Sequence, residues 1–312
     1  MSGKSGLLLV DKPAGPTSHD VVQVARRGLR EKRVGHTGTL DPAATGLLVL
    51  CVGKATRLQG YLLAWEKAYE GEIRLGFATT TYDAEGEPLG PPRPVPELSL
   101  EVLGELMQRF SGELAQLPPP YSAKKKDGKK FYELARAGEE VPREPKLVTV
   151  WELELAVAAP DRLRFAVVCS SGTYVRSLAH DIGEVLGCGG HLAHLRRMRV
   201  GPWRVEHAVA AERLAERPPA IPETAWVELS QIALPFPSVT LNPVAAQHFC
   251  RGQEVVVREV VGDFVPGKFV AVRNRQGMLL GVGQTSVYLP RARSLTLAPR
   301  TVLAEVEEGV FP

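Results

Sequence analysis

Residues 46–53 read GLLVLCVG, six apolar residues between two glycines. Such a run is far short of the roughly 20 residues that cross a bilayer, and it suits a strand buried in a core. The stretch immediately before it, GHTGTLDPAAT at 35–45, is a loop by composition. A loop entering so apolar a strand is anchored at one end, which restricts what its side chains can do.

The rest of the chain organises around similar signals. GLLLVDKPAG at 6–15 predicts a strand running into a Pro/Gly turn. Its apolar run ends at Asp11, too early for a signal peptide, and the protein is read as cytoplasmic. Thr17 or Ser18 can cap a following helix, with Asp20 favourable in its first turn. A helix is expected near 55–67, a strand from Tyr69, and a proline-rich loop after Phe77. Ser99 is a plausible N-cap for a helix presenting Leu103, Leu106 and Phe110 on one face. Further helices are expected at about 130–137 and from Tyr174 to Leu186. Alternation in VWELELAV at 150–157 places Trp151, Leu153, Leu155 and Val157 opposite Glu152 and Glu154, as in a half-buried strand paired with 163–172. The 312 residues suggest two domains at about 150 residues each, and Pro-rich segments between 207 and 240 mark a boundary. Beyond it come a short helix, PVAAQHFC, and closely spaced strands EVVV, KFVAVRN, GMLLGVGQ and VLAEV, the pattern of a small β-rich module.

Four cysteines at 51, 169, 188 and 250 form no CxxC pair, and Cys51 and Cys169 read as buried free thiols of a reducing compartment. The net charge of +3 does not itself suggest nucleic acid, but its distribution does. KKKDGKK at 124–130 holds five lysines, and HLAHLRRMRVGPWR at 191–204 holds four arginines without an acid. Two such patches attract phosphate more readily than they serve as solvated faces. GLLVLCVGKAT fails as a P-loop: six residues separate its glycines and Ala55 follows Lys54. His180, His191 and His194 lack a completing carboxylate or cysteine, so no metal site is expected.

Within 35–46, Pro42 biases Asp41 towards an extended backbone, and Gly35 and Gly38 allow tight bends. A carboxylate held this way has the fixed geometry that a catalytic group needs. An Asx turn satisfying its own backbone accounts for the same residues.

GHTGTLDPAATGLLVLCVGKAT resembles the catalytic motif of the bacterial tRNA pseudouridine synthase B family. Four other segments agree in the family's order: LLLVDKPAGPTSHDVV at 7–22, KAYEGEIRLG at 67–76, PPPYSAKKKDGKKFYELARAG at 118–138 and CSSGTYVRSLAHDIGEVLGCGGHLAHLRRMRVG at 169–201. The resemblance implies that Asp41 is the essential aspartate of an enzyme that converts uridine 55 of the tRNA T-loop to pseudouridine. It implies no cofactor and no metal. Asp41 then acts as nucleophile or as base, ionised in either role, with Arg176 as its cationic partner. Tyr69 matches the tyrosine that stacks on the target base, Tyr174 a second active-site tyrosine and Leu195 an apolar wall. His36 matches the histidine that fills the space of a flipped nucleotide. Lys12 and Lys125 match lysines near the site or the phosphates. Lys124, Lys126, Lys129 and Lys130, with Arg196, Arg197 and Arg199, are read as RNA-backbone contacts.

Two departures stand out. Thr80 occupies the place of the first acid in the family's TDTxDxxG loop, while Asp83 and Gly86 are kept, and Lys124 replaces a usual apolar residue.

The implied architecture is mixed α+β: a largely antiparallel sheet with flanking helices over residues 1–237, and a small PUA-like RNA-binding module over 238–312. The partner is tRNA, gripped at the T-arm and the acceptor stem, with no membrane and no obligate protein partner. Two other readings fit the same basic patches: a non-catalytic tRNA-folding factor, which needs no Asp41, and a pseudouridine synthase acting on ribosomal RNA.

Overall fold

The computed structural model describes residues 4–120, 125–126, 129–130, 144–216, 219–258 and 264–304. The chain begins with β1 (Gly6–Lys12), β2 (Val34–His36), β3 (Thr45–Val52), β4 (Lys67–Leu75) and β5 (Gly112–Gln116). A two-residue hairpin, β6 (Lys125–Lys126) and β7 (Lys129–Lys130), pairs Lys125 with Lys130. Next come β8 (Lys146–Ala159), β9 (Arg162–Cys169), β10 (Gly190–Val200), β11 (Trp203–Arg204), β12 (Val209–Ala210) and β13 (Trp226–Glu228).

All of these except the hairpin form one sheet of order β12-β1-β3-β10-β4-β9-β8-β5, with β2, β11 and β13 attached at its flanks. Only β1–β12 and β3–β10 run parallel, so the sheet is mixed and mainly antiparallel. The flanking helices are α1 (Ser18–Leu29), the single turn α2 (Gln59–Leu62), α3 (Leu100–Arg109) and α4 (Val175–Val185). The mixed α+β class expected from sequence is therefore the one observed.

The apolar runs explain the layers. In β1, Leu8 and Val10 enter the core beneath the helices, while Leu7 and Leu9 face a second core on the other side. In β3, Leu48 and Leu50 divide from Leu47, Val49 and Cys51 in the same way. Strands buried on both faces read as unbroken apolar runs. Strands β4, β9 and β8 bury one face only and alternate accordingly.

Caps set the helix starts. The Thr17 hydroxyl accepts from the Asp20 N–H and the Asp20 carboxylate accepts from the Thr17 N–H, a reciprocal capping box. Ser99 caps α3 through the Val102 N–H.

Three local expectations need correction. Residues 53–62 form a 3₁₀ turn and one α turn, not a helix to 67. Trp151 is 53% exposed because a bulge between Val150 and Glu152 shifts it out of the buried register, and Val157, although still in register with the buried Leu155, is exposed near the end of the strand. The last strand ends at Val302, so Leu303 and Ala304 of VLAEV follow it, while its last two residues lie outside the described residues. The helix expected at 130–137 lies outside the described residues apart from Lys130, which is in β7.

Past residue 237 a second sheet forms from β14 (Ser238–Thr240), β15 (Val255–Arg258), β16 (Phe269–Arg273), β17 (Leu279–Leu289) and β18 (Ser294–Val302), in the order β14-β16-β17-β18-β15. Helix α5 (Pro243–Cys250), capped by Asn242, buries Phe249 against Leu280, Leu295 and Leu297. Ala271, Leu279, Val282 and Leu303 join Leu7, Leu9, Leu47 and Val49 in one apolar cluster, so this sheet shares a core with the back of β1 and β3.

Candidate active site

The loop 37–44 is pinned residue by residue. Arg197, on β10, donates from Nη2 to the Gly38 carbonyl at 3.1 Å, from Nη1 to Thr39 at 3.3 Å and from Nε to Leu47 at 2.7 Å. Ser18, at the start of α1, accepts from the Leu40 N–H at 2.8 Å and donates to the Leu40 carbonyl at 3.0 Å. The Pro42 carbonyl accepts from Lys12 Nζ at 3.0 Å and from the Gly15 N–H at 2.9 Å. Gly38 has φ +132°, and a β-carbon on Gly46 would sit 2.3 Å from the Arg197 carbonyl. Both positions require glycine.

On this base stands Asp41. Its Oδ2 lies 3.1 Å from Arg176 Nε, and its side chain is 44% exposed against 11% for Arg176. The carboxylate thus opens to solvent while its cation is buried on α4. Arg176 is itself held from behind: Nη1 donates to Asp83 Oδ2 at 3.1 Å and to the Thr81 carbonyl at 3.2 Å. Asp83 in turn accepts from the Thr81 hydroxyl and the Glu85 N–H. A guanidinium with two carboxylates and a carbonyl around it has little rotational freedom.

Asp41 opens into a cleft of about 460 Å³. Tyr69, Tyr174, Leu195 and Arg176 line it with Lys67, Lys146 and Arg197. Burial pushes the Tyr69 phenol above its usual range. Tyr174 is fixed through its backbone, where Gln116 accepts from its N–H at 2.7 Å and donates to its carbonyl at 3.0 Å. Leu195 is 9% exposed and lines the cleft. Burial, then the Arg197 charge, lower Lys67 to about 8, and its ammonium donates to the Leu63 and Trp65 carbonyls.

His36 sits below the loop and not on the cleft wall; its Nδ1 accepts from the Gly38 N–H at 3.3 Å, and burial lowers its pKa.

The basic residues divide sharply. Lys12 is 0% exposed and donates to the Pro13, Pro16 and Pro42 carbonyls, so it builds the loop and does not reach phosphate. Arg197 is 1% exposed and also structural, which corrects its reading as a backbone contact. Arg196 turns to the opposite face and pairs bidentately with Asp11 at 3.0 and 2.7 Å. Arg199 pairs with Glu66 at 2.8 Å. Successive side chains on a strand point to opposite faces, so the arginines of one sequence patch do not form one surface patch. Acids absent from the segment come from elsewhere in the chain, Asp11 on β1 and Glu66 just before β4. Lys124 lies outside the described residues; Lys125, Lys126, Lys129 and Lys130 lie in the hairpin β6–β7.

Sequence reasoning passed over Lys67, Gln116 and the pairing role of Asp83. The retention of Asp83 where Thr80 departs was the available signal.

A model of the N-terminal domain of TruB family pseudouridylate synthases matches residues 26–175, and one of the tRNA pseudouridylate synthase B C-terminal domain matches 176–236. The chain belongs to the TruB family. Among its relatives, a tRNA pseudouridine synthase B from Burkholderia mallei (strain NCTC 10247) is 45% identical over 285 residues, 90% of this chain and 93% of that protein. One from Stutzerimonas stutzeri (strain A1501) is 42% identical over 290 residues, covering 90% and 92%. The fold also resembles that of a solved H/ACA ribonucleoprotein bound to a substrate RNA containing 2′-deoxyuridine, at TM-score 0.75 and 23% identity over 98% of this chain and 87% of that one. The protein is accordingly an enzyme that forms pseudouridine in tRNA.

Proposed function

We propose that the enzyme acts on uridine 55 in the tRNA T-loop, that this nucleotide is flipped into the cleft, and that Asp41 is the essential catalytic group. The N1–C1′ bond breaks, the detached uracil turns, and a C5–C1′ bond forms. The proton lost from C5 is balanced by one gained at N1, so no oxidant, reductant or metal enters the balance. Asp41 serves as the nucleophile on the nucleoside or as the base for the ribose C2′ proton; both roles begin from the carboxylate. The observation that carries this reading is the placement of Asp41 Oδ2, 3.1 Å from a buried Arg176 Nε at the mouth of a cleft holding Tyr69. A flipped base loses its stacking neighbours, and an aromatic ring replaces them at about 1–3 kcal/mol per base. Of the charged side chains lining the cleft, four are basic and one is acidic, which favours an anionic substrate.

Residues 1–237 are read as the catalytic domain and 238–312 as a PUA-like module that holds the acceptor-stem side of the tRNA. Remote contact of this kind raises affinity without touching the target base.

Wild type and Asp41→Asn compared on a T-arm stem-loop transcript test the catalytic assignment. Asparagine keeps the turn-forming size and removes the charge. Binding within about threefold of wild type with a rate loss of at least ~10³ is expected, the scale seen when a group acting as a unit is removed. Product formation at an undiminished rate would overturn the role of Asp41 and favour a non-catalytic function for this loop. Adding a competing ribosomal-RNA fragment to the same assay tests the choice of substrate.

A further inference from the structure

Among the described residues three that are not glycine have positive φ: Arg30, Tyr82 and Arg293. Arg30 and Arg293 end helical turns, where the left-handed conformation is a usual terminator. Tyr82 ends no helix. It sits at φ +65° in the loop between β4 and α3, one residue before Asp83. A bulky side chain in this region marks a conformation that the surroundings impose.

The imposing contact is visible. The Tyr82 ring lies face to face with His180, with centroids 3.7 Å apart and planes 5° from parallel. His180 is on α4, one turn after Arg176, and side chains four apart share a helix face. The Tyr82 carbonyl also accepts from the Leu192 N–H of β10 at 3.0 Å. The loop is therefore held to the helix by Tyr82 on His180 and, one residue later, by Asp83 on Arg176.

We propose that Tyr82 and His180 are positioning residues that act through Arg176. Their stack seats the 79–86 loop on α4, so that Asp83 holds Nη1 and turns Nε towards Asp41. Neither ring lines the Asp41 cleft. The stack explains why a tyrosine stands in a conformation that glycine would adopt without strain. This inference rests on the reading of Asp41 as the catalytic group.

The test uses the full-length enzyme with a tRNA transcript, Tyr82→Gly, Tyr82→Phe, His180→Leu and the Tyr82→Gly/His180→Leu double variant. Glycine relieves the backbone and removes the ring; phenylalanine keeps the ring. Tyr82→Gly and His180→Leu are expected to lower kcat by about tenfold or more with KM changed less than about threefold. Tyr82→Phe should restore kcat to within about twofold of wild type, and the double variant should be no slower than the worse single, because one contact is lost in each. A merely structural role predicts the reverse for glycine: an unstrained loop with undiminished kcat.

A second readout follows the Arg176 side chain directly. Its Nε–H resonance should be slow to exchange in wild type and Tyr82→Phe, and fast in Tyr82→Gly. Full kcat in both ring-deleted variants, or an unchanged Nε–H resonance, would overturn the proposal. Product formation by Asp41→Asn would instead overturn the catalytic reading, and the Nε–H measurement would still decide the positioning role.

Discussion

The two faces of β4 and β10 carry cavities of similar size and opposite character. The face beneath α4 holds the Asp41 cleft, about 460 Å³, with Lys67, Lys146, Arg176 and Arg197 against one carboxylate. The other face holds a groove of about 540 Å³, lined by Glu70, Glu72 and Glu154 against Arg164 and Arg196, with His194. Glu72 of that groove pairs with Arg162 at 2.8 Å, and Arg196 is already satisfied by Asp11. Volume does not distinguish a site here. An excess of one charge sign and a backbone held from several directions do. Adjacent residues of one strand, Arg196 and Arg197, belong to the two different faces, and neither is placed as a free phosphate contact.

The strongest way to break this comparison is at Arg197. If its purpose is to hold the loop, its loss should cost stability and not only affinity. Arg197→Met leaves the Gly38, Thr39 and Leu47 carbonyls without their donor. An unsatisfied buried group costs about 1–3 kcal/mol, so a total loss of about 3 kcal/mol is expected, allowing for partial relief by water. Denaturant unfolding measures it. Removing the guanidinium also removes a charge that lowers the Lys67 pKa, so Lys67 should titrate higher in the variant. Unchanged stability with weakened tRNA binding would instead restore Arg197 to the RNA surface.

What the sequence made legible follows from range. The Asp-Pro pair, its flanking glycines and the apolar run of β3 lie within a dozen residues, and they mark Asp41 as a constrained carboxylate. The groups that impose the constraint are remote: Ser18 lies 22 residues from Leu40, Lys12 lies 30 from Pro42, and Arg197 lies 159 from Gly38. No periodicity relates such residues, so Arg197 was read as a phosphate contact and Lys12 as a lysine near the site or the phosphates. The two N-caps, Thr17 and Ser99, were local and were read correctly, Thr17 with Ser18 as an alternative. Trp151 failed for a third reason. A bulge inserts one residue into β8, and simple alternation cannot anticipate where the pleat slips. Asp83 was noticed because it is kept where Thr80 departs, yet its partner Arg176 is 93 residues away.

A smaller effect sharpens the comparison on the cleft side. Asp181, on α4, has its pKa raised to about 6 from 3.8 by burial, with the Glu184 charge adding to the shift. A carboxyl with a higher pKa folded than unfolded contributes stability that is complete below the unfolded value and lost as pH rises through the folded one. Asp181 therefore opposes folding most at pH 8 and roughly half as much at pH 5. Asp181→Asn should raise stability by about 1–2 kcal/mol at pH 8, after allowance for solvent screening, and the gain should shrink by pH 5. Thermal midpoints at the two pH values check this. An equal gain at both would mean that packing, not charge, sets the cost.

The least effect is expected on the groove side, at the Arg162–Glu72 pair. Its side chains are 43% and 25% exposed, and pairs of this kind contribute about 0–1 kcal/mol because water and salt screen them. Arg162→Ala should shift stability by no more than ~0.5 kcal/mol and leave kcat and KM for tRNA unchanged, measured beside wild type at low and moderate salt. The low-salt arm matters, since it magnifies any long-range attraction between Arg162 and phosphate. A rise in KM confined to low salt would show that the groove side steers tRNA from a distance, and the contrast between the faces would then be one of degree. A rise in KM at both salt concentrations would place RNA in the groove itself, against the charge balance that separates it from the cleft.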